Sequence, residues 1–146
     1  MKKILLILLF FPFFLSSQNI KSSSYFDELT PEERRIMVKK GTERAGSGIY
    51  IDHFDKGVYI CKACNNPLFR SEFKFKSDCG WPSFDDEIKG AILRYPDYSY
   101  GMKRVEICCA NCNGHLGHVF EGEKITEKNI RHCVNSLSIK FVSNKE

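Results

Sequence analysis

The hydrophobic residues of this chain form one long run at its start and many short segments after residue 47. Lys2 and Lys3 precede an apolar run over 4–15 that only Pro12 interrupts, and polar residues follow at once. A basic start, an apolar run of this length and a polar continuation are typical of a secretory signal peptide. The sequence therefore predicts a signal peptide over 1–17 and a polar mature N-terminus over 18–26.

This run also predicts where the protein acts. It is shorter than the roughly 20 apolar residues that a membrane-spanning helix needs, which favours cleavage. An uncleaved anchor is the alternative, because Leu15 stands where a cleavage site prefers a small residue. No cysteine precedes Cys61, which argues against a lipoprotein. We expect an exported protein, periplasmic or secreted, with membrane attachment only if the segment is not cleaved.

One helix and a series of strands are predicted downstream. Thr30 can cap a helix that starts with Pro31, Glu33 stands three residues after the cap, and Gly41 supplies an end, so we predict a helix over 31–40. Short segments rich in Tyr, Ile, Val and Phe then alternate with turn residues, as strands do. These segments are 48–51, 57–61, 91–95, 102–108, 118–121 and 131–142. The pattern predicts one mainly β domain over 27–142.

The overall charge gives no indication that the protein binds a polyanion. The formal charge is +4, and removal of Lys2 and Lys3 leaves 20 basic against 18 acidic residues. Charges of both signs are interspersed along the chain rather than gathered into a basic stripe, so we predict no nucleic-acid binding.

Four of the seven cysteines form two Cys-x-x-Cys pairs, Cys61 with Cys64 and Cys109 with Cys112. Two such pairs can surround one tetrahedral zinc ion with four thiolates. The 44 residues between the pairs predict a structural zinc that joins two distant parts of one sheet. Four thiolates leave no open position for water, which argues against zinc-dependent hydrolysis.

Other interpretations of these pairs remain open at the level of sequence. The cysteines could form disulfides, one pair could be a redox dithiol, or the metal could be iron. Two pairs in register favour a metal over two independent loops. Cys108 could replace Cys109 as a ligand, but Cys109 restores the two-residue gap.

Cys133 is the first candidate for reactivity among the remaining thiols. Alternation along 131–141 predicts one strand whose single face carries Arg131, Cys133 and Asn135 at a cleft and apolar residues in the core. A neighbouring guanidinium lowers the pKa of a thiol and so favours the attacking thiolate. An inert buried cysteine is the alternative.

Cys79 and Trp81 lie in a segment with a glycine and a proline, which predicts a loop. A cysteine on a loop can reach an oxidised partner cysteine and close a disulfide. Trp81 could provide an apolar wall for a sulfur-bearing methyl group, or simply pack in the core. His115 and His118 could donate a proton or hydrogen bond to a leaving oxygen, or satisfy backbone carbonyls.

Taken in order along the chain, these motifs resemble the B-type methionine-R-sulfoxide reductases. The resemblance spans about residues 28–141 and rests on several separate segments. They are Glu28-Leu29-Thr30-Pro31-Glu32, Gly41-Thr42-Glu43-Arg44, the two cysteine pairs, Pro67-Leu68-Phe69, Cys79-Gly80-Trp81-Pro82-Ser83-Phe84, His115-Leu116-Gly117-His118-Val119-Phe120 and Arg131-x-Cys133-x-Asn135-Ser136.

The resemblance implies two packed antiparallel sheets, a structural zinc held by the four paired cysteines, and a catalytic site. In such enzymes the residue at Cys133 attacks the sulfoxide sulfur, and the residue at Cys79 closes a disulfide that a thioredoxin-like partner reduces. The resemblance also implies that the site is lined by Trp81, His115, His118, Arg131 and Asn135. The implied substrates are oxidised proteins or peptides, and we expect a monomer.

Two residues depart from the family pattern. Asp78 stands where such enzymes usually have glycine, and we hypothesise that its charge raises the pKa of Cys79. Cys108 is an additional thiol, which could form an off-pathway disulfide or lie buried as a small hydrophobic residue. Two rival functions remain, a zinc-ribbon-like binding module without catalysis and a thiol peroxidase.

Overall fold

The structure, a computed structural model, describes residues 24–144. The predicted signal peptide and most of the predicted polar N-terminus lie outside the described residues. Within 24–144, no helix has the length and apolar character needed to cross a membrane.

The α-helix that follows Thr30, α1, spans Pro31–Met37 and begins as predicted. Thr30 accepts a hydrogen bond from the backbone N–H of Glu33, whose side chain accepts one from the N–H of Thr30 in return. This reciprocal pair satisfies two N–H groups that a helix start leaves without partners. The helix ends three residues earlier than predicted, because Lys40 has a left-handed φ of 55° and the N–H of Gly41 turns back to close the last turn.

Within the described part of the chain, nine strands form two antiparallel sheets, which confirms the predicted fold class. The strands are β1 (Gly57–Cys61), β2 (Pro67–Arg70), β3 (Lys74–Phe75), β4 (Ser83–Phe84), β5 (Ile92–Asp97), β6 (Arg104–Cys109), β7 (His115–Glu121), β8 (Ile130–Val134) and β9 (Ile139–Ser143). The smaller sheet has the order β2-β1-β9, and the larger has the order β3-β4-β8-β7-β6-β5. Short 3-10 turns lie between strands at Ser71–Phe73, Ser99–Gly101 and Ser136–Ser138.

Aromatic side chains from both sheets meet in the core. Phe69 of β2 stacks on Phe84 of β4 with ring centroids 4.4 Å apart, and Tyr59 of β1 meets Phe84 edge-on at 5.0 Å. All three are fully buried. Burial of such rings supplies much of the hydrophobic stabilisation of a small domain, so this cluster holds the two sheets together.

Two strand predictions were wrong. Residues 48–51 form turns rather than a strand, and Ile49 is 77% exposed. The predicted strand over 131–142 divides into β8 and β9, which belong to different sheets. The chain turns between them because the Glu43 carboxylate accepts hydrogen bonds from the backbone N–H groups of Ser136 and Leu137, at 2.5 and 3.2 Å.

Candidate functional site

The four paired cysteines converge on one point between the sheets. Their sulfur atoms all lie within 4.8 Å of one another, with Cys61 and Cys112 3.6 Å apart and Cys64 and Cys109 3.5 Å apart. Four sulfurs at about 2.3 Å from a tetrahedral zinc ion are separated by roughly 3.8 Å. The arrangement therefore fits a metal ion held by these four thiolates. None of these cysteines is in a disulfide.

The two metal-binding loops repeat one local structure. Each loop follows the end of a strand and contains an asparagine with left-handed backbone dihedrals, Asn65 or Asn113. The backbone N–H of this asparagine donates to the carbonyl oxygen of the first cysteine of the pair. Because β1 and β6 belong to different sheets, the site joins the two sheets. The prediction that it joins two parts of one sheet was wrong.

The Cys79 and Cys133 sulfurs face each other at 3.9 Å. Cys133 lies in β8, and Cys79 lies on the loop between β3 and β4. This loop is held against β8 because Ser83 in β4 pairs with Cys133. Gly80 allows the loop to turn with φ +90°, where an added Cβ would lie 3.0 Å from Ala45. Both thiols are free, and a small relative movement can bring them into bonding distance.

The two thiols differ in pKa. Cys79 is the more acidic, and its contact with the Cys133 thiol is the main reason that its pKa falls to about 4. The hydroxyls of Ser77 and Ser83, at 3.1 and 3.4 Å, lower the pKa of Cys79 further. The pKa of Cys133 is raised, first by Cys79 and then by burial, while Arg131 opposes the rise. Arg131 therefore acts in the predicted direction, but Cys79 has the larger effect.

Cys133 opens into a small cavity of about 110 Å³. Of the residues singled out from the sequence, Cys133, Trp81, His118 and Asn135 line it. Four further lining residues were not predicted, namely Thr42, Arg104, Gly117 and Phe120. Three of those four stand within the family segments quoted above, so only Arg104 carried no signal in the sequence.

Three buried side-chain nitrogen atoms in and around the site lack hydrogen-bond partners. Among the described residues, the buried side-chain atoms that lack a hydrogen-bond partner include Arg104 Nε, Arg131 Nη1 and His115 Nε2. Buried polar atoms without partners are rare in folded proteins and often mark functional sites. Arg104 lines the cavity. Arg131 does not line it and is paired with Glu123 at 2.7 and 2.8 Å.

Backbone contacts hold the cavity walls in place. The Trp81 indole N–H donates to the Glu43 carbonyl at 3.2 Å, and the Glu43 N–H donates to Asn135 Oδ1 at 2.9 Å. Asn135 Nδ2 donates to the Leu116 carbonyl at 3.0 Å. Trp81 and Asn135 are thus fixed through one residue, Glu43, whose role the sequence did not reveal.

The two histidines have different surroundings. His118 Nε2 lies 2.8 Å from Asp97, which also accepts a hydrogen bond from Arg104 at 2.7 Å. His115 is 2% exposed, lies outside the cavity, and contacts Glu106 at 2.8 Å. Burial lowers the pKa of His115, so its neutral form is favoured. Of the two, only His118 lines the cavity.

The two departures from the family pattern have local explanations. Asp78 is exposed, and the pKa of Cys79 is lowered, mainly through Cys133, so any effect of Asp78 is smaller than that of Cys133. The contribution of Asp78 itself stays a prediction. Cys108 is 1% exposed, and burial raises its pKa to about 12. It therefore packs as a small hydrophobic residue. Cys108 also lies near Glu106 and His115, but the Glu106 oxygens already bind Lys40 and His115.

Comparison with known proteins agrees with this geometry. The model of the SelR domain family matches residues 29–143. The chain is 54% identical over 114 residues to the chloroplastic peptide methionine sulfoxide reductase B2 of Arabidopsis thaliana, covering 77% of this chain and 55% of that protein. It is 53% identical to reductase B9 of the same plant, covering 77% and 78% of the two chains. It is 48% identical over 134 residues to the peptide methionine sulfoxide reductase MsrB of Teredinibacter turnerae, covering 90% and 98%.

Proposed function

This chain belongs to the SelR domain family, and on that premise we propose that it is a peptide-methionine (R)-S-oxide reductase, an oxidoreductase that returns methionine-R-sulfoxide to methionine. The observation that carries the proposal is the pair of facing thiols, 3.9 Å apart, with one of them opening into a cavity of about 110 Å³. A binding module without catalysis has no use for such a pair.

The first step is attack by Cys133 on the sulfoxide sulfur. Because the pKa of Cys79 is low and that of Cys133 is raised, the resting charge lies on Cys79, which accepts the Cys133 proton as Cys133 attacks. The Arg131 charge stabilises the thiolate that forms on Cys133. The sulfoxide oxygen passes to Cys133 and takes back the proton that Cys79 accepted, so a thiol and a sulfoxide become a sulfenic acid and methionine, and Cys79 is again a thiolate.

The cavity walls bind the two sides of the sulfoxide group. Trp81 and Phe120 offer apolar faces to the methyl group. Arg104 and His118 line the same cavity, and Arg104 Nε has an N–H without a partner. Donors fixed in place before the reaction stabilise negative charge that develops on an oxygen. Arg104 therefore holds and polarises the sulfoxide oxygen, while His118 contacts the same Asp97 carboxylate that binds Arg104.

Cys79 then regenerates the enzyme. Its thiolate attacks the Cys133 sulfur, the S–S bond forms, the S–O bond breaks, and the leaving hydroxide takes a proton from solvent to become water. The hydroxyls of Ser77 and Ser83 stabilise the Cys79 thiolate. A thioredoxin-like dithiol then reduces the disulfide and returns both thiols.

The metal ion is proposed to be zinc, held by Cys61, Cys64, Cys109 and Cys112. A four-thiolate zinc site contributes folding energy and has no open coordination position. Zinc therefore cross-links the sheets and takes no part in the reaction.

Export is part of the proposal. Lys2, Lys3 and the apolar run over 4–15 support a signal peptide. Oxidised exported proteins are then the natural substrates, and the reductant must be available outside the cytoplasm. Mass spectrometry of the mature protein tests this, since cleavage near residue 17 supports export with release and an intact N-terminus supports an anchor.

The test of the activity uses the chain lacking residues 1–17 and two peptides that carry the R- or the S-sulfoxide. With dithiothreitol as reductant, we expect turnover of the R epimer only, and loss of that turnover in Cys133→Ser. Cys108→Ala serves as the matched cysteine control and should remain active. Reduction of neither epimer by a folded, zinc-containing protein would refute the proposal. Faster turnover of hydrogen peroxide than of the R epimer would favour a thiol peroxidase.

A further inference from the structure

A second, larger depression continues from the cavity of Cys133. It has a volume of about 630 Å³ and shares Thr42, Arg104 and His118 with the cavity. One wall follows the end of α1 and the residues after it, and the other is the turn between β5 and β6. We call this depression the basic groove.

The basic groove has a net positive charge, and its two carboxylates are already paired. Four basic side chains and two carboxylates line the groove, so its net charge is +2 when the histidines are neutral. These residues are Arg35, Lys39, Lys40, Arg104, Asp97 and Glu106. Asp97 and Glu106 are already bound by Arg104 and Lys40. Arg35 pairs with Glu32, which does not line the groove. Lys39 is exposed and has no ion pair among the described residues.

The opposite wall is aromatic and exposed. Tyr98 is 67% exposed and Tyr100 is 91% exposed, and Met102 beside them is 43% exposed. Clustered apolar side chains of this kind on a surface often mark interaction sites. The basic groove thus combines a cationic wall with an apolar wall, next to the reacting sulfur.

The other approach to the cavity differs in charge. A depression of about 500 Å³ shares Arg104 and Phe120 with the cavity and is also lined by Arg94, Lys103, Glu121 and Glu123. Arg94 is paired with Glu87 and Glu123 with Arg131, which leaves Lys103 and Glu121, one charge of each sign, so this side offers little preference for an acidic or a basic chain. The two sides of the cavity are therefore not equivalent.

Resting on the proposed function, we propose that the basic groove binds the polypeptide on one side of the oxidised methionine and favours an acidic residue there, which Lys39 binds. The cavity itself has room for little more than the sulfoxide side chain. The neighbouring residues of a peptide must then lie in the adjoining depressions. An extended chain advances about 3.3 Å per residue, so the acidic residue stands within a few positions of the methionine.

The experiment compares peptides that carry one methionine-R-sulfoxide and either Glu or Gln at a single position, scanned over three positions on each side. We expect kcat/KM to favour Glu by about two- to fivefold, on one side of the methionine only, as one exposed ion pair allows. The preference should shrink at high salt.

Lys39→Glu should abolish or reverse the preference and leave turnover of free methionine-R-sulfoxide unchanged. Lys89→Glu is the matched control, since it makes the same charge change at an exposed residue that does not line either depression, and it should keep the preference. Equal turnover of Glu and Gln peptides, or a preference that persists in Lys39→Glu, overturns this inference alone. Absence of turnover with every peptide overturns the proposed function as well.

Discussion

Cys133 is not the more acidic thiol of its pair. Its pKa is raised by Cys79 and by burial, so the nearby cation alone does not make it a thiolate. In the sequence, Arg131 stands two residues before Cys133, and this predicted a lowered pKa for Cys133. What the sequence could not provide was the distance to Cys79, which depends on how a loop 54 residues earlier folds onto β8.

Two hydroxyls add to the effect of Cys133 in lowering the pKa of Cys79, and this is testable. In Ser77→Ala, the thiolate of Cys79 loses a hydrogen bond of 3.1 Å, so the pKa of Cys79 should rise from about 4. A lowered pKa keeps the thiolate populated at mildly acidic pH, and raising it removes that population. The pH dependence of Cys79 alkylation, followed by peptide mapping, should shift to higher pH, whereas exposed Ser143→Ala should leave it unchanged. An unshifted profile in Ser77→Ala would show that the Ser77 hydroxyl does not lower the pKa of Cys79.

Glu43 is a second residue whose importance only the structure reveals. In Glu43→Gln, an amide with one oxygen replaces a carboxylate that accepts from both Ser136 and Leu137. A buried N–H without a partner costs about 1–3 kcal/mol. We expect that loss in the free energy of unfolding, measured with urea, together with lower turnover.

The matched control for Glu43→Gln is Glu32→Gln, which breaks an exposed pair with Arg35. Exposed pairs contribute less than about 1 kcal/mol. If the two substitutions destabilise the domain equally, Glu43 does not fix the loop that carries the cavity wall.

At the scale of elements, the sequence predicted features that depend on near neighbours. The capping pattern located the start of α1, and the apolar segments located β1, β5 and β6 to within two residues. The separation of β8 from β9 was missed, because alternation of apolar residues continues across the bend. The bend comes from Glu43, about 90 residues away in sequence, which no local pattern reports.

Gly117 shows how closely β7 and β8 approach at the site. A Cβ at this position would lie 2.0 Å from the Cys133 carbonyl oxygen, with φ +155°. Gly117→Ala should therefore displace Cys133, reduce turnover at least tenfold and destabilise the domain by several kcal/mol. Activity assays and urea unfolding measure both effects.

Gly90→Ala separates steric contact from backbone strain. Gly90 also has a positive φ, of +77°, but no atom lies within 4 Å of an added Cβ. Its substitution should cost only about 1–2 kcal/mol and leave turnover intact. Equal losses in the two variants would mean that close approach to Cys133 is not the reason for glycine at position 117.

At the scale of the whole molecule, the metal site joins two sheets that otherwise meet through an aromatic core. Sequence spacing identified the four ligands but not that they link separate sheets, since the strand order depends on long-range pairing. The same site makes a prediction for stability. We expect one zinc ion per chain and a large loss of unfolding free energy when a strong chelator removes it.

The corresponding variant is Cys64→Ser, which should bind zinc weakly and unfold at lower urea concentration, while Cys108→Ser should retain full zinc content. Metal analysis and urea unfolding provide the readouts. A metal-free protein as stable as the zinc form would show that the four sulfurs converge without a structural ion.

The most direct test of the central claim is a single turnover without added reductant. Reduced protein is mixed with excess methionine-R-sulfoxide peptide, and the methionine product and the cysteine state are measured by mass spectrometry. We expect one methionine per chain and a Cys79–Cys133 disulfide, while Cys79→Ser should also release one methionine but leave a sulfenic acid on Cys133. Methionine release without change at Cys133, or a disulfide that involves any other pair, would contradict the assignment of these two thiols to the reaction.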